Sequence, residues 1–221
     1  MNPLSDAVPL GQVSRALVIK LRHHGDVLLA SPVIAALKSH APSIEIDALV
    51  YADTAPMLAL HPGLDELHTI DRNWKELGAF ARLMAELGLY RRLAARRYDL
   101  IVHLTEGWRG AWLARTLGAR WTVAPERRSA GRRWRSSFSH LVPAPRAGGR
   151  HTVESNLDAL RRIGIQPTEA ERQLVLEPGD EARGRIAALL AAHGLGAQGF
   201  VHIHLTSRWQ FKCWTAAGWE K

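Results

Sequence analysis

Short apolar runs alternate along the chain with segments whose apolar residues recur at helical spacing. The predicted strands are 15–21, 44–51, 67–70, 98–104 and 121–123. The predicted helices are 27–40, 53–60, 74–97, 108–117 and 151–164. Strands that alternate with helices form βαβ units, whose right-handed crossovers produce a parallel sheet covered on both faces. The pattern predicts an α/β fold with a Rossmann-like parallel sheet.

The same pattern predicts four parts of the chain. These are a polar leader at 1–14, the Rossmann-like domain at 15–166, a linker and helix at 167–198, and the first elements of a second such domain at 199–221. The linker helix is expected at 180–193 and the first strand of the second domain at 199–204. Residues 125–150 carry proline, glycine and arginine without apolar periodicity, which predicts a long exposed loop.

In the segment 74–97, apolar residues recur at helical spacing and basic residues occupy the remaining face. The apolar positions include Leu77, Phe80, Met84, Leu87 and Leu93. This amphipathic pattern is typical of a helix with one apolar face.

Composition agrees with a folded protein, since 47% of residues are hydrophobic and 23% are charged. The single cysteine, Cys213, cannot form an internal disulfide, so we expect a reducing, cytoplasmic environment. Neither a signal peptide at 1–11 nor a run of roughly 18 apolar residues occurs, which predicts a soluble or peripheral protein. The eleven histidines show no ligand spacing such as H-E-x-x-H, and we predict no metal.

The formal net charge is +8, and the excess is uneven: residues 120–150 hold eight arginines and one acid, Glu126. This predicts a polyanionic partner. Nucleic acid, an anionic lipid surface and a phosphorylated glycolipid all meet that requirement. Charge alone does not rank them.

Two short segments hold candidate site residues. Asp26 follows the first predicted strand, beside Gly25 and at the start of a helix, where ligands of parallel sheets bind. Its alternative role is that of a helix N-cap, and both roles are compatible. Thr206, Ser207 and Lys212 follow the predicted strand ending at His204, and hydroxyls with a lysine suit a pyrophosphate. Neither a Walker A sequence nor G-x-G-x-x-G occurs, so we expect no bound cofactor.

Five segments of the chain stand out together: ALVIKLRHHGDVLLASP at 16–32, HPG at 61–63, YDLIVHL at 98–104, HTVESNL at 151–157 and HLTSRWQFKCW at 204–214. In this order they resemble glycosyltransferase family 9, the ADP-heptose:lipopolysaccharide heptosyltransferases, and in particular its heptosyltransferase III branch. The resemblance spans nearly the whole chain. It implies a GT-B fold of two Rossmann-like domains, an N-terminal domain that binds the acceptor, and inverting transfer without an obligatory metal.

The resemblance also implies roles for the candidate residues. Asp26 would be the general base, supported by Gly25, and Thr206, Ser207 and Lys212 would bind the diphosphate of ADP-heptose. The acceptor would be a phosphorylated, Kdo-bearing lipid A core at the cytoplasmic face of the inner membrane. The arginines expected to contact the acceptor or this anionic surface are Arg127, Arg128, Arg132, Arg133 and Arg135.

Members of the family continue further, into a C-terminal part that holds the adenine and heptose. We therefore expect a chain truncated soon after its second domain begins, with an incomplete donor site. Two alternatives stay open: an inactive remnant that binds anionic glycolipid, and a basic nucleic-acid-binding module with tryptophans as stacking surfaces.

Overall fold

The computed structural model describes residues 6–127, 129–143, 150–195, 199–207 and 209–219. The chain separates into two compact units, Met1–Glu177 and Pro178–Lys221. No described helix is both long enough and apolar enough to cross a bilayer.

The first unit is built on a six-stranded parallel sheet. Its strands are β1 Arg15–Ile19, β2 Glu45–Tyr51, β3 Glu66–Ile70, β4 Leu100–His103, β5 Trp121–Pro125 and β6 His140–Val142. The strand order is β3-β2-β1-β4-β5-β6, the order of a Rossmann fold. This confirms the predicted α/β sheet, whose central strands are apolar on both faces because both faces are covered.

Helices cover both faces of the sheet. The helices of the first unit are α1 His24–Leu28, α2 Ser31–His40, α3 Ala79–Arg96, α4 Trp108–Thr116, α5 Arg132–Arg135 and α6 Thr152–Arg162. Ala16 and Val18 of β1 pack with the core under α2 and α6, whereas Leu17 and Ile19 pack with the core under α3 and α4. The alternation of side chains along a strand produces these two cores.

The helix predicted at 27–40 is divided into α1 and α2. Pro32 lies in the first turn of α2. Proline has no N–H to donate and its ring clashes with the preceding turn, so it is tolerated at a helix start but not in a helix interior. A new helix therefore begins beside Pro32.

The prediction of a long exposed loop at 125–150 is wrong for most of the residues that the structure describes in this segment. It contains α5 and β6, and the side chain of Trp134 is fully buried. The rings of Trp134 and Phe138 lie 4.8 Å apart between centroids and pack with Ala111 and Ala114 of α4. Trp134 and Phe138, four residues apart among arginines, belong to a small third core. Two apolar positions are too few to show periodicity, so the sequence pattern did not predict this core. Residues 144–149 lie outside the described part.

An ion network near the start of β2 joins three elements. The guanidinium of Arg96 donates to both oxygens of the buried Asp47 carboxylate, at 2.7 and 2.9 Å, and Tyr98 Oη donates at 2.6 Å. Burial alone would raise the pKa of Asp47. Hydrogen bonds from His68, Arg96 and Tyr98 outweigh burial and lower the pKa of Asp47 to about 2. The network links α3 and the start of β4 to β2.

The second unit contains α7 Gly179–Ala192 and the short α8 Ala216–Trp219. The helix predicted at 180–193 is thus present. Residues 199–205, which include the predicted strand 199–204, are exposed and pair with no strand in the described part of the chain. A strand is defined by its ladder partner, and an apolar run without one forms no sheet.

Candidate active site

The strands β1 and β4 lie side by side at the centre of the sheet. The chain connects β1 to β2 on one side, and β4 to β5 on the other. In a sheet of this order, the loops after the two central strands diverge, and ligands bind in the crevice between them. A cavity of about 420 Å³ lies at this point, with Lys20, Arg22, Asp26, Thr105, Glu106 and Asn156 among its lining residues.

Asp26 lies on this cavity, in the first turn of α1 and half-buried. The helix N-cap is His23, so the prediction of Asp26 as an N-cap is wrong: the helix begins at His24, earlier than the apolar pattern indicated. Among the described residues, no hydrogen bond or ion pair within 4.0 Å engages the Asp26 carboxylate. Both of its oxygens can therefore accept a proton or a hydrogen bond from a ligand.

Lys20 was not among the residues that the sequence singled out. Its side chain is 5% exposed at the end of β1, and Nζ donates to the carbonyl of Leu104 at 3.0 Å and to Oδ1 of Asn156 at 2.9 Å. Burial lowers the pKa of Lys20 to about 8, while the nearby charge of Asp26 opposes this shift. At neutral pH a buried ammonium and the side chain of Asp26 therefore line the same cavity.

Asn156 connects this pair to the helices. Its Nδ2 donates to the carbonyl of Leu29 at 2.8 Å, between α1 and α2, while its Oδ1 accepts from Lys20. Asn156 belongs to α6, in the segment 151–157 quoted above. Through this amide, α6 holds both the end of α1, the helix that carries Asp26, and the ammonium of Lys20.

Gly25 is exposed on α1, and a Cβ there would meet no atom within 4 Å. No described protein atom therefore requires a glycine at this position. Its role in letting a ligand approach stays a prediction.

The predicted arginine group is spread over the surface beside this cavity. Arg127 lines an adjoining cavity of about 510 Å³, and Arg135 forms an ion pair with Glu126 at 3.0 Å. Arg132 and Arg133 are exposed on α5. Arg128 lies outside the described residues.

Thr206, Ser207 and Lys212 belong to the second unit, where all three are exposed. Lys212 ends a 3₁₀ turn, Gln210–Lys212. The N–H of Ser207 donates to Sγ of Cys213 at 3.1 Å, which closes this turn on itself. The three residues predicted to bind the diphosphate of ADP-heptose therefore lie close together on one exposed turn.

A family model decides the classification. The model of glycosyltransferase family 9 (heptosyltransferase) matches residues 87–221, more than half of the chain. The chain belongs to glycosyltransferase family 9. The matched residues include the motifs at 98–104, 151–157 and 204–214 described above.

This family 9 chain is similar to proteins named lipopolysaccharide heptosyltransferases. It is 38% identical over 200 residues to lipopolysaccharide heptosyltransferase 3 of Escherichia coli, which covers 89% of this chain and 56% of that protein. It is 28% identical over 209 residues to lipopolysaccharide heptosyltransferase 1 of Pseudomonas aeruginosa, with 94% and 56% covered. The chain therefore spans about half the length of these relatives.

Solved structures share the fold. A family 9 glycosyltransferase from Veillonella parvula matches with a TM-score of 0.69 at 21% identity, over 90% of this chain and 53% of that one. The E. coli heptosyltransferase WaaC, solved with ADP-2-deoxy-2-fluoro heptose, matches with a TM-score of 0.58 at 19% identity, over 70% and 50%. At these identities the similarity establishes the architecture.

Proposed function

We propose that this chain is the acceptor-binding half of a heptosyltransferase that moves heptose from ADP-heptose to the lipopolysaccharide core. The observation that carries the proposal is the Asp26 carboxylate, which lies without a hydrogen-bond partner in the described residues, on a cavity at the centre of the sheet edge. Family membership and the 38% identity to a heptosyltransferase 3 supply the reaction class.

In the proposed reaction, Asp26 takes the proton of an acceptor hydroxyl as its oxygen attacks the anomeric carbon of the donor. The bond between that carbon and the phosphate oxygen breaks, and ADP leaves with the electron pair. One direct displacement inverts the anomeric centre. A sugar hydroxyl is a poor nucleophile, and a positioned base contributes about 10²–10⁴-fold to such a step.

Departing ADP accumulates negative charge on its diphosphate. Thr206, Ser207 and Lys212 are proposed to bind it, the hydroxyls by hydrogen bonds and the ammonium by charge. These groups supply what a leaving diphosphate requires, and we propose that no metal is obligatory.

The nucleic-acid alternative receives no support. The tryptophan within the arginine-rich segment, Trp134, is 0% exposed and offers no stacking surface there. The described arginines of that segment, Arg127, Arg132, Arg133 and Arg135, stay candidates for contact with a phosphorylated core acceptor.

The test of this function uses the full-length product of the reading frame that holds this chain, hereafter the full-length protein. We expect it to add one heptose to a truncated core acceptor when ADP-heptose is supplied, as mass spectrometry of the acceptor would show. Consumption of ADP-heptose without any heptose on the acceptor would contradict the proposal.

We also propose that the protein works at the cytoplasmic membrane surface, and α3 and α4 offer the contact. Phe80, Leu83 and Met84 on α3 are 76%, 61% and 47% exposed, and Trp108 and Trp112 on α4 are 57% and 52% exposed. Both helices begin after the carboxyl end of a strand, at the edge of the sheet that holds Asp26. A lipid-anchored acceptor would thus meet the cavity near the bilayer surface.

The charges beside this apolar face favour an anionic membrane as its partner. Between Arg72 and Arg97 the sequence holds seven basic residues and two acidic ones. Lys75, Arg82 and Arg91 form no ion pair with a carboxylate in the described part of the chain. Apolar and aromatic side chains flanked by free cations are the pattern of surface-bound helices.

Replacing Phe80, Leu83 and Met84 together by serine is expected to weaken binding to phosphatidylglycerol vesicles at least tenfold in co-sedimentation. Each large side chain contributes about 1.5–3 kcal/mol when fully buried in an apolar phase, so even partial insertion of three exceeds a tenfold effect. The matched control is Ile186→Ser with Leu189→Ser, since both side chains are 55% exposed on α7. Equal binding of the two variants to vesicles would contradict a membrane face. A dimer formed by the wild type and the control but not by the triple variant would also contradict it, because the apolar side chains would then form a protein–protein contact.

A further inference from the structure

A second cavity, of about 400 Å³, opens at the same edge of the sheet, under α4. Its lining includes His103, Trp108 and Arg109, together with Arg22, Thr105 and Glu106. Those last three also line the Asp26 cavity, so the two cavities adjoin. Nothing in the mechanism proposed above uses this second space.

Several buried polar atoms on this cavity have no partner in the described structure. They are Thr105 Oγ1, Arg109 Nη1 and one ring nitrogen of the fully buried His103, whose ring otherwise interacts with the backbone of Gly107. Buried polar atoms in native proteins are almost always hydrogen-bonded. Three neighbouring exceptions on one cavity indicate that a ligand supplies the missing partners.

The surrounding charges favour an anion. Arg109 is held by Glu86, whose Oε1 accepts from Nη2 at 2.6 Å, and this leaves Nη1 directed elsewhere. Helix α4 begins at Trp108, and its N-cap Gly107 has no side chain to satisfy the first N–H groups. The carboxylates of Glu86 and Glu106 balance the guanidiniums of Arg109 and Arg22, and the free N–H groups at the start of α4 add the partial positive charge that favours an anion.

The imidazole of His103 suits the same ligand. Burial lowers the pKa of His103 to about 3, so the ring is neutral at physiological pH, with one nitrogen donating and the other accepting. The ring fits here because residue 110 is glycine: a Cβ at Gly110 would collide with Cε1 of His103. The ring is therefore fixed beneath the start of α4.

We infer that this second cavity, the anion subsite, binds a phosphate or carboxylate group of the acceptor and thereby orients the hydroxyl that Asp26 deprotonates. The inference rests on the proposed function for the identity of the acceptor. The subsite itself rests on the partnerless atoms of Thr105, Arg109 and His103. Its occupant has oxygens that accept from a guanidinium and from backbone N–H groups.

The test compares acceptors and variants in the full-length protein. Arg109→Met is expected to raise KM for the phosphorylated acceptor about 10–100-fold, with kcat within about twofold, because charge-assisted hydrogen bonds to the ground state are lost. With the acceptor group that binds the subsite removed, Arg109→Met and wild type should have the same KM. Phosphatase treatment and carboxyl reduction of the acceptor, tested separately, identify which group that is.

Two further variants separate binding from folding. Asp53→Asn, on the surface outside both cavities, should leave KM unchanged, whereas Thr105→Val keeps the side-chain size and should raise KM several-fold in the same acceptor-dependent way. An increase in KM that is equal for all acceptors, or no increase at all, would overturn the subsite.

A binding measurement keeps the subsite distinct from the proposed reaction. Inorganic phosphate titrated into the 221-residue chain should shift the ring nitrogen resonances of His103 in NMR, and Arg109→Met should abolish the shift. If the full-length protein transfers no heptose but the shift is seen, the proposed function fails and the subsite stands. Absence of the shift both with inorganic phosphate and with acetate, each added to high concentration, would overturn the subsite.

Discussion

The full-length protein with Asp26→Asn is expected to transfer heptose about 10²–10⁴-fold more slowly than the wild type, with little change in acceptor KM. An amide has nearly the size of the carboxylate but cannot take the proton of the attacking hydroxyl. The fold should be unaffected, since no described residue bonds to the Asp26 side chain. Single-turnover rates with preformed ternary complex would measure the chemical step alone.

The matched control is Asp53→Asn, a second acid near the carboxyl edge of the sheet. Asp53 pairs with Arg72 at 3.0 Å on the surface, where both side chains are over a third exposed. Such pairs contribute little, about 0–1 kcal/mol, and Asp53 lies outside the two cavities. Its variant should keep the wild-type rate. Comparable rates for the Asp26 variant and this control would remove Asp26 from the mechanism.

Asp47→Ala is expected to lower the free energy of unfolding of the first unit by about 3 kcal/mol. The variant removes the acceptor for Arg96 and for the Tyr98 hydroxyl, and leaves both donors partly or fully buried. This loss of stability lies at the lower end of the range for breaking a buried ion pair, because Arg96 is 24% exposed and also contacts Glu45 at 2.8 Å. Urea unfolding followed by circular dichroism would measure it.

Glu66→Ala is the control for this experiment. Glu66 is 46% exposed and lies 3.5 Å from Arg96, so its loss should cost less than about 1 kcal/mol. Equal losses for the two variants would show that the network is held by surface charge and not by the buried carboxylate.

The contribution of Asp47 should also depend on pH. The folded-state pKa of about 2 lies below the ordinary value of 3.8, so the unfolded chain binds the proton more readily. The stabilisation is therefore complete above about pH 4 and is lost as the pH falls towards 2. The difference in stability between wild type and Asp47→Ala should shrink over this interval, and a difference that stays constant would contradict the shift.

The central sheet could be predicted because parallel strands buried on both faces appear as continuous apolar runs. The short strand β6 could not, since His140–Val142 offers only three residues and is recognisable by its pairing with β5. Likewise the run at 199–204 is apolar enough for a strand. A strand also requires a neighbouring strand to pair with, and the pattern of apolar residues does not show whether one is present.

Helix α3 shows what periodicity leaves undetermined. Its apolar positions recur at helical spacing, but Phe80 and Met84 face solvent, and the helix is buried chiefly through Leu89 and Leu93. Periodicity reveals that one face is apolar. Whether that face meets the core, a membrane or another protein depends on tertiary structure.

The candidate site was predictable in part for the same reason. Asp26 stands out because a Gly-Asp pair follows a strand, at the point where parallel sheets bind ligands. Lys20 does not, because a lysine at a strand end normally reaches solvent. Its burial depends on Leu104 and Asn156, which are 84 and 136 residues away in the sequence. The partnerless atoms of the anion subsite are equally a product of tertiary packing.

The most direct test of the central claim is a structure of the full-length protein with its acceptor and a fluorinated, unreactive donor. In that structure we expect the acceptor hydroxyl facing the anomeric carbon to lie about 2.6–3.2 Å from a carboxylate oxygen of Asp26. A bound acceptor whose reacting hydroxyl instead contacts another base, with Asp26 beyond hydrogen-bond reach, would contradict it.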